Sequence, residues 1–507
     1  QQQNNKEREP IMRVVFAALV TLLVFTSFVY TQTYTDKDVF VQDLKIFVEG
    51  KEFFIKGIAY EPVPLGVMNM STDGWGGVGF CSVKKTAFNE YKSACVGSDF
   101  FDATQDTKRV PKGPTDASGK LIPWWRPVWE RDLPKIKELG ANTIRIYNMN
   151  PITKHLVQKY PTAFQVKDVS VAAQHLPFLD YAHKMGFKVI LPIVQDEDLL
   201  TESSSDLLDQ IITSTVTELG DHPALLMWCL GNEFDLPNKP ALLDLVNLKM
   251  DVVRQKMKEI HNRVIPVTTA VIDIPESYED LAAKLKVDVF TTNAGYRDVV
   301  MDPLWDGETI NGYTFRGWTA LSKAINKPLF VGEIGMHQLN NQINIDRPDW
   351  FNQQWRQIVN HIDNGCVGAC FFEYSDEPQK PELQQTMGVV SLSPATSGSK
   401  TSLDANVWVP DVVVEKNIYA ALKTGIAQSD DKAYNMNANV FTLIGRSQTT
   451  VAVKPSTSGA TSQPTNDSEE PNPRDSNSSN GMRSSLLWIA AVFTVTIILA
   501  FNHLFQF

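Results

Sequence analysis

From about residue 45 to 425 one rhythm of apolar and polar positions recurs: a short β-rich run, a polar turn, then a stretch with helical spacing. The β-rich runs predict strands at Phe53 to Tyr60, Thr143 to Tyr147, Lys188 to Val194 and Leu225 to Leu230. Four more follow at Val267 to Ile272, Val287 to Thr292, Pro328 to Gly332 and Val367 to Glu373. Helical spacing occupies Arg131 to Gly140, where the glycine is a stop signal, then His175 to Met185 and Leu207 to Leu219. It returns at Ala241 to His261, Glu276 to Leu285, Thr319 to Ile325, Trp350 to Asp363 and Val414 to Leu422. Consecutive parallel strands need a crossover element. Eight such units in succession therefore predict an α/β fold of the closed (β/α)8, or TIM, barrel kind. In such barrels the chemistry sits at the carboxyl ends of the strands.

The rhythm lapses in three places. The first βα connection, Glu61 to Glu130, is 70 residues long, and loops of that length usually carry function. It holds Gly74-Trp75-Gly76-Gly77-Val78-Gly79, Trp124, Trp125 and Trp129. It reads either as a cleft wall with aromatic platforms or as a surface excursion packed on itself. Cys81 and Cys95, with 13 residues between them, are the candidates for a disulfide in an oxidising compartment.

The other two lapses are the chain ends, and they predict an address. Residues 1–33 combine a polar extension with an apolar run, Val14 to Val29, behind Met12-Arg13, and read as a secretory signal or an uncleaved anchor. The barrel is expected over 34–425 and a linker and stalk over 426–485. From about Ser447 the stalk turns to Ser, Thr, Pro, Asn and Gly, which cannot bury enough surface to fold. Over 486–507 an apolar run, Leu486 to Phe501, ends the chain without Lys or Arg. Small residues precede it at Ser476 to Gly481, so the segment matches a GPI-attachment signal better than a membrane span. Sequons at Asn69, Asn466 and Asn477 suit an exported chain. The expectation is a protein at the outer face of the plasma membrane or in a cell wall, tethered to the cell membrane by a lipid.

Charge narrows the partners. A net charge of −11 with no Lys/Arg block lacks the basic footprint that nucleic acid requires, so that class of partner is excluded. Five cysteines are too few for a disulfide framework, and the odd number leaves at least one thiol unpaired or intermolecular. The eight histidines show no ligand spacing; no metal and no cofactor is implied, and a monomer is expected.

The strand ends carry the candidate chemistry. The fourth strand runs out in Gly231-Asn232-Glu233 and the seventh in Gly332-Glu333-Ile334, each placing a glutamate on the catalytic rim. Retaining glycosidic chemistry needs two such carboxylates across a sugar ring, one to protonate the leaving oxygen and one to attack the anomeric carbon, about 5–5.5 Å apart. With Asn232-Glu233 and Glu333 so placed, the chain resembles the retaining (β/α)8-barrel glycosidases. Within them it is most similar to the GPI-anchored β-1,3-glucanosyltransferases, glycoside hydrolase family 72. Further matching stretches are Phe53 to Tyr60, Arg131-Asp132-Leu133 through Asn142 to Tyr147, Pro328 to Gly335, Phe372-Glu373-Tyr374 and Met387 to Val390.

The resemblance implies Glu233 as acid/base and Glu333 as nucleophile. It also implies that Asn232 binds the sugar 2-hydroxyl, that Arg145 keeps Glu333 charged, and that Tyr296 donates a hydrogen bond to the nucleophile. This chain departs from the family in placing Tyr296 one residue later after Asn293, and in flanking Glu333 with Gly332 and Ile334 where Ser and Tyr are more common. Tyr60, Tyr147, Trp305, Phe372 and Tyr374 are candidates to stack on pyranose faces or to pack the core. Glu373, Asp376 and Glu377 are candidates to bind hydroxyls, and Cys229 reads as a buried thiol facing the barrel interior. The expected function is a retaining hydrolase or transglycosylase of cell-wall β-glucan. The alternatives are an endo-β-mannanase, a β-1,4-glucanase, or a non-catalytic polysaccharide-binding surface protein.

Overall fold

The computed structural model describes residues 37–62, 99–103, 125–147, 173–194, 205–296, 302–310, 313–337, 346–377, 382–393 and 411–428, with Met149, Leu200 and Thr201. Three short antiparallel strands come first, β1 (Val39–Gln42), β2 (Lys45–Val48) and β3 (Lys51–Phe53). Their two-residue turns, Asp43-Leu44 and Glu49-Gly50, lie at positive φ throughout, the geometry that suits the twist of a hairpin. No sequence signal predicts this sheet, because neither turn carries the Asn-Gly or Asp-Gly pair that announces one.

Eight parallel strands then close a barrel. They are β4 (Ile55–Ala59), β5 (Thr143–Arg145), β6 (Lys188–Pro192), β7 (Leu225–Asn232), β8 (Val267–Val271), β9 (Phe290–Thr292), β12 (Leu329–Ile334) and β13 (Cys366–Phe371), with β13 pairing back onto β4. Between the sixth and seventh barrel strands, β10 (Glu308–Ile310) and β11 (Tyr313–Phe315) form a hairpin. The β1–β3 sheet sits at the amino-terminal end: the Val39 N–H donates to the Val264 carbonyl at 2.9 Å, just ahead of β8.

The surrounding helices are α1 (Arg126–Glu138), α2 (Leu176–Lys184), α3 (Ser205–Leu219), α4 (Pro240–Lys256), α5 (Pro275–Lys284), α6 (Asp302–Asp306), α7 (Trp318–Ile325), α8 (Arg347–Asn360) and α9 (Asn417–Gln428). A proline opens α1, α2, α4, α5 and α8, where its missing N–H has no partner to lose and its φ already suits the helix. Thus α1 starts at Arg126, five residues before the expected Arg131, and absorbs Pro134 in its interior.

The last expected helix needs correction. Residues Val412–Glu415 are a strand, β15, pairing antiparallel with β14 (Val390–Ser393), and the helix begins only at Asn417. The run Val412-Val413-Val414 is β-branched, and with a strand edge available it extends rather than coils. Helix α9 buries Ile418, Leu422 and Ile426 and runs to Gln428, past the expected barrel limit at 425. Its Gly425 lies so close to α8 that a Cβ there would meet the Phe351 ring at 3.2 Å.

The first βα connection is tied to the barrel through residues 99–103. Phe100 and Phe101 are fully buried, Trp129 donates its indole N–H to the Phe100 carbonyl at 2.9 Å, and Asp99 pairs with His175 at 2.7 Å. Trp125 and Trp129 are themselves buried in these contacts, so neither is a platform for a ligand. Cys81, Cys95, Trp75, Trp124, the sequons, the signal segment, the stalk and 486–507 lie outside the described residues. No helix among the described residues is long and apolar enough to cross a membrane.

Candidate active site

The site begins with an irregular strand end. In β7 the pairing with β8 slips between Cys229 and Asn232, and the backbone turns through positive φ at Gly231 (90°) and again at Glu233 (55°). Gly231 cannot be replaced without rearrangement, since a Cβ there would lie 2.1 Å from the Phe234 ring. Such a bulge re-aims the side chains beyond it. Here it leaves Asn232 half-buried and Glu233 exposed, while the Glu233 N–H still donates to the Ala270 carbonyl at 2.9 Å.

Arg145, at the end of β5 and almost wholly buried, gathers the surrounding groups. Its Nη1 donates to the Gly332 carbonyl at 2.7 Å, to Glu333 Oε1 at 3.2 Å and to Asn293 Oδ1 at 3.2 Å. Its Nη2 donates to Asn232 Oδ1 at 2.6 Å. The face of Tyr147 lies 4.6 Å from the guanidinium carbon. Gly332 makes this possible, because a Cβ there would meet Asn293 Oδ1 at 2.6 Å and Arg145 Nη1 at 3.0 Å. The glycine beside Glu333 thus has a steric reason: a serine in that place would push the arginine away.

Glu333 is nearly buried, and its second oxygen accepts a hydrogen bond from the Tyr296 hydroxyl. The later position of Tyr296 is accommodated through Gly295, which extends the sixth strand alongside the seventh. The Gly295 N–H donates to the Glu333 carbonyl at 3.0 Å and the Gly335 N–H to the Gly295 carbonyl at 3.1 Å. A Cβ on Gly295 would lie 2.2 Å from that Glu333 oxygen, so only glycine allows the approach. Withdrawal of its hydroxyl end from water and the Glu333 charge push the Tyr296 phenol well above its ordinary pKa, so it stays a donor. Phe372 stands between Tyr147 and Tyr296, its ring 5.9 Å from each and edge-on to both.

Glu233 and Glu333 are joined by a short chain of hydrogen bonds. Asn293 Nδ2 donates to Glu233 Oε1 at 3.1 Å and to Asn232 Oδ1 at 3.0 Å, and Asn293 Oδ1 accepts from Arg145, which holds Glu333. Partial withdrawal of its carboxyl from water and the charge of Glu333 raise the pKa of Glu233, against the lowering influence of the Asn293 hydrogen bond and the Arg145 charge. Asn293 carries no sequence signal of its own, since asparagine at a strand end is ordinary turn chemistry. What marks it is its place just past the Thr291-Thr292 end of β9, on the rim where the glutamates stand.

Other candidates fall elsewhere. Tyr60 and Tyr374 are fully buried against each other, ring centroids 5.8 Å apart, and the Tyr60 hydroxyl donates to Asp132 at 3.0 Å. Neither can meet a sugar. Trp305 is buried between Trp318 and His361. Glu373 and Glu377 are buried, and Asp376 is engaged by Lys416 and the Gly388 N–H, so these acids serve the fold rather than a ligand's hydroxyls. Cys229 is a buried thiol at the barrel interior, its Sγ 3.3 Å from the Gly231 carbonyl.

Among curated proteins the chain is similar to the 1,3-beta-glucanosyltransferase GAS5 of Saccharomyces cerevisiae, 23% identical over 279 residues. The match takes in 52% of this chain and 50% of that protein, so the chain spans about half the length of the curated relative it matches. No family model matches the chain. Among solved structures, Saccharomyces cerevisiae Gas2p in complex with laminaritriose and laminaritetraose superposes with TM-score 0.45 at 19% identity, covering 78% of this chain and 69% of that one. A GH2 beta-galacturonidase from Eisenbergiella tayi, bound to galacturonate, gives 0.44 at 14% identity, over 77% of this chain and 54% of that one. The chain is a (β/α)8 barrel that resembles the 1,3-beta-glucanosyltransferases in sequence.

Proposed function

We propose that this protein is a retaining β-1,3-glucanosyltransferase of cell-wall glucan, with Glu333 as nucleophile and Glu233 as acid/base. The observation that carries the reading is the hydrogen-bonded chain from Glu333 through Arg145 and Asn293 to Glu233, assembled at the carboxyl ends of the fourth and seventh barrel strands. The sequence similarity to a 1,3-beta-glucanosyltransferase supports the same chemistry and suggests the glucan.

In the first half of the reaction a Glu333 oxygen bonds to the anomeric carbon as the bond to the leaving oxygen breaks. The electron pair stays on that oxygen, which takes the Glu233 proton. Donors on both Glu333 oxygens, Arg145 and Tyr296, fix the plane of the attacking carboxylate. The raised pKa of Glu233 keeps its proton available, and the Glu333 charge is one of its causes. Esterification removes that charge, so Glu233 becomes more acidic and is fit to act as base in the second half. An acceptor hydroxyl then gives its proton to Glu233 as its oxygen displaces Glu333. Asn232 spends its carbonyl oxygen on Arg145 and Asn293, which leaves its amide N–H groups for the sugar 2-hydroxyl. Tyr147, Phe372 and the half-exposed Tyr296 offer an apolar wall for a pyranose.

Export through residues 1–33, a Cys81–Cys95 disulfide and a lipid anchor attached before 486–507 complete the reading, placing a monomer at the cell surface. Incubation with reduced laminari-, manno- and cello-oligosaccharides, read by mass, tests it. Longer laminari-oligosaccharides are expected. Shortening alone means hydrolysis, turnover confined to manno- or cello-oligosaccharides means another glycan, and binding without turnover of any means a lectin.

A further inference from the structure

We propose that Asn293 is a positioning residue for proton transfer, fixing which oxygen of Glu233 carries the transferable proton. The inference rests on Glu233 being the acid/base. Asn293 is 1% exposed, and its amide orientation is forced. A guanidinium can only donate, so the oxygen must face Arg145 and the NH2 group must face Asn232 Oδ1 and Glu233 Oε1. Turning the amide over would set donor against donor at Arg145 and acceptor against acceptor at both other partners.

Glu233 Oε1 therefore always meets an N–H. A carboxylic hydroxyl oxygen is a poorer acceptor than the carbonyl oxygen, so the amide N–H holds Oε1 as the carbonyl and the neutral acid carries its proton on Oε2, which has no protein partner among the described residues. The group that must reach the leaving oxygen is thus the unencumbered one. After the proton has left, the same N–H stabilises the carboxylate, which keeps Glu233 from becoming too strong a base to release the proton in the next cycle. One buried amide serves both protonation states, and it does so without touching substrate.

Asn293→Asp keeps an acceptor for Arg145 but removes the donor at Glu233, and any proton shared by the two carboxyls would then sit on the wrong side. With a laminari-oligosaccharide, whose leaving alkoxide needs a proton, the variant is expected to lose about 100-fold in kcat/KM. With a 2,4-dinitrophenyl β-laminaribioside, whose leaving group needs none, formation of the glycosyl-enzyme should change less than about threefold. The basic limb of the oligosaccharide pH profile should move to higher pH, because a bond to the carboxylate form has been lost. Equal losses on both substrates, or full activity on both, overturn the proposal. Asn293→Ser provides the same comparison if the aspartate variant does not fold. A wild-type protein inert toward every glycan would instead sink the enzymatic reading. The carboxyl 13C titration of Glu233, expected at higher pH in Asn293→Ser than in wild type, would then still decide whether the amide governs that proton.

Discussion

Two regions of the barrel are built from the same three kinds of group, a tyrosine, a carboxylate and an arginine. At the start of the barrel the Tyr60 hydroxyl donates to Asp132, which Arg131 grips through two bonds of 2.7 and 2.8 Å. Across the rim the Tyr296 hydroxyl donates to Glu333, which Arg145 holds. The first trio is sealed: Tyr60 and Asp132 are fully buried. The second is open, with Tyr296 38% exposed and Glu233 reached through Asn293. Arg131 gives Nε and Nη2 to Asp132 and Nη1 to the Asp411 carbonyl, whereas Arg145 spreads over Glu333, Gly332, Asn293 and Asn232. A tyrosine–carboxylate–arginine set is therefore not a site in itself. Access and a second titratable group make it one.

Substitutions that separate rate from stability sharpen this contrast. The largest effect is expected for Glu333→Gln, which should lower turnover on the order of 10⁴-fold with the circular dichroism spectrum unchanged. An active variant would remove the nucleophile assignment. Arg145→Met should cost about 10²–10³-fold in kcat and also destabilise the fold by roughly 3–5 kcal/mol, because a buried carboxylate loses its partner. Its counterpart Asp132→Asn should cost about 2–3 kcal/mol in urea unfolding with kcat per folded molecule unaltered. If Asp132→Asn lowers kcat as much as Arg145→Met does, the two regions are not functionally distinct.

A milder pair is Tyr296→Phe and Tyr60→Phe. The first should slow turnover about 10–100-fold, the worth of one hydrogen bond to a charged group, while the melting temperature holds. The second should leave turnover alone and cost about 1–3 kcal/mol for the stranded buried acceptor.

The smallest effects are in pH. The Glu233 pKa lies above its ordinary value, so the rate should persist above the usual carboxylate range and fall as pH rises through that raised value. Stability should titrate elsewhere. His175, buried beside Asp99, is raised from 6.5 to about 9: burial lowers it, but the charge and hydrogen bond of Asp99, with the charges of Asp102 and Glu218, together outweigh burial. A raised folded-state pKa contributes stability that is whole below the unfolded value and is lost as pH rises through the folded one. The melting temperature should therefore decline between about pH 6.5 and 9, and a flat profile there would refute the charged pair that holds residues 99–103.

Much of this molecule is written locally. Eight apolar runs separated by helical spacing require crossovers, and crossovers of one kind require a parallel sheet that closes. Glu233 and Glu333 are legible because each interrupts an apolar strand where water begins. The β1–β3 sheet and β15 were harder to read, since four-residue strands differ little from loops until a partner edge is known. The sealed and open tyrosines look alike along the chain: Tyr60 and Tyr296 both follow barrel strands, and nothing near either states how deeply it lies.

The amino-acid order alone determined the barrel, because strand and helix periods are properties of neighbouring residues. It also determined which strand ends carry carboxylates. Only the tertiary structure decided that Asn293 joins Arg145 to Glu233, that Gly295 and Gly332 clear space beside Glu333, and that Tyr60 is masonry rather than rim. Burial and hydrogen bonding depend on groups brought from positions 60 and 188 residues apart, and no local pattern contains that information.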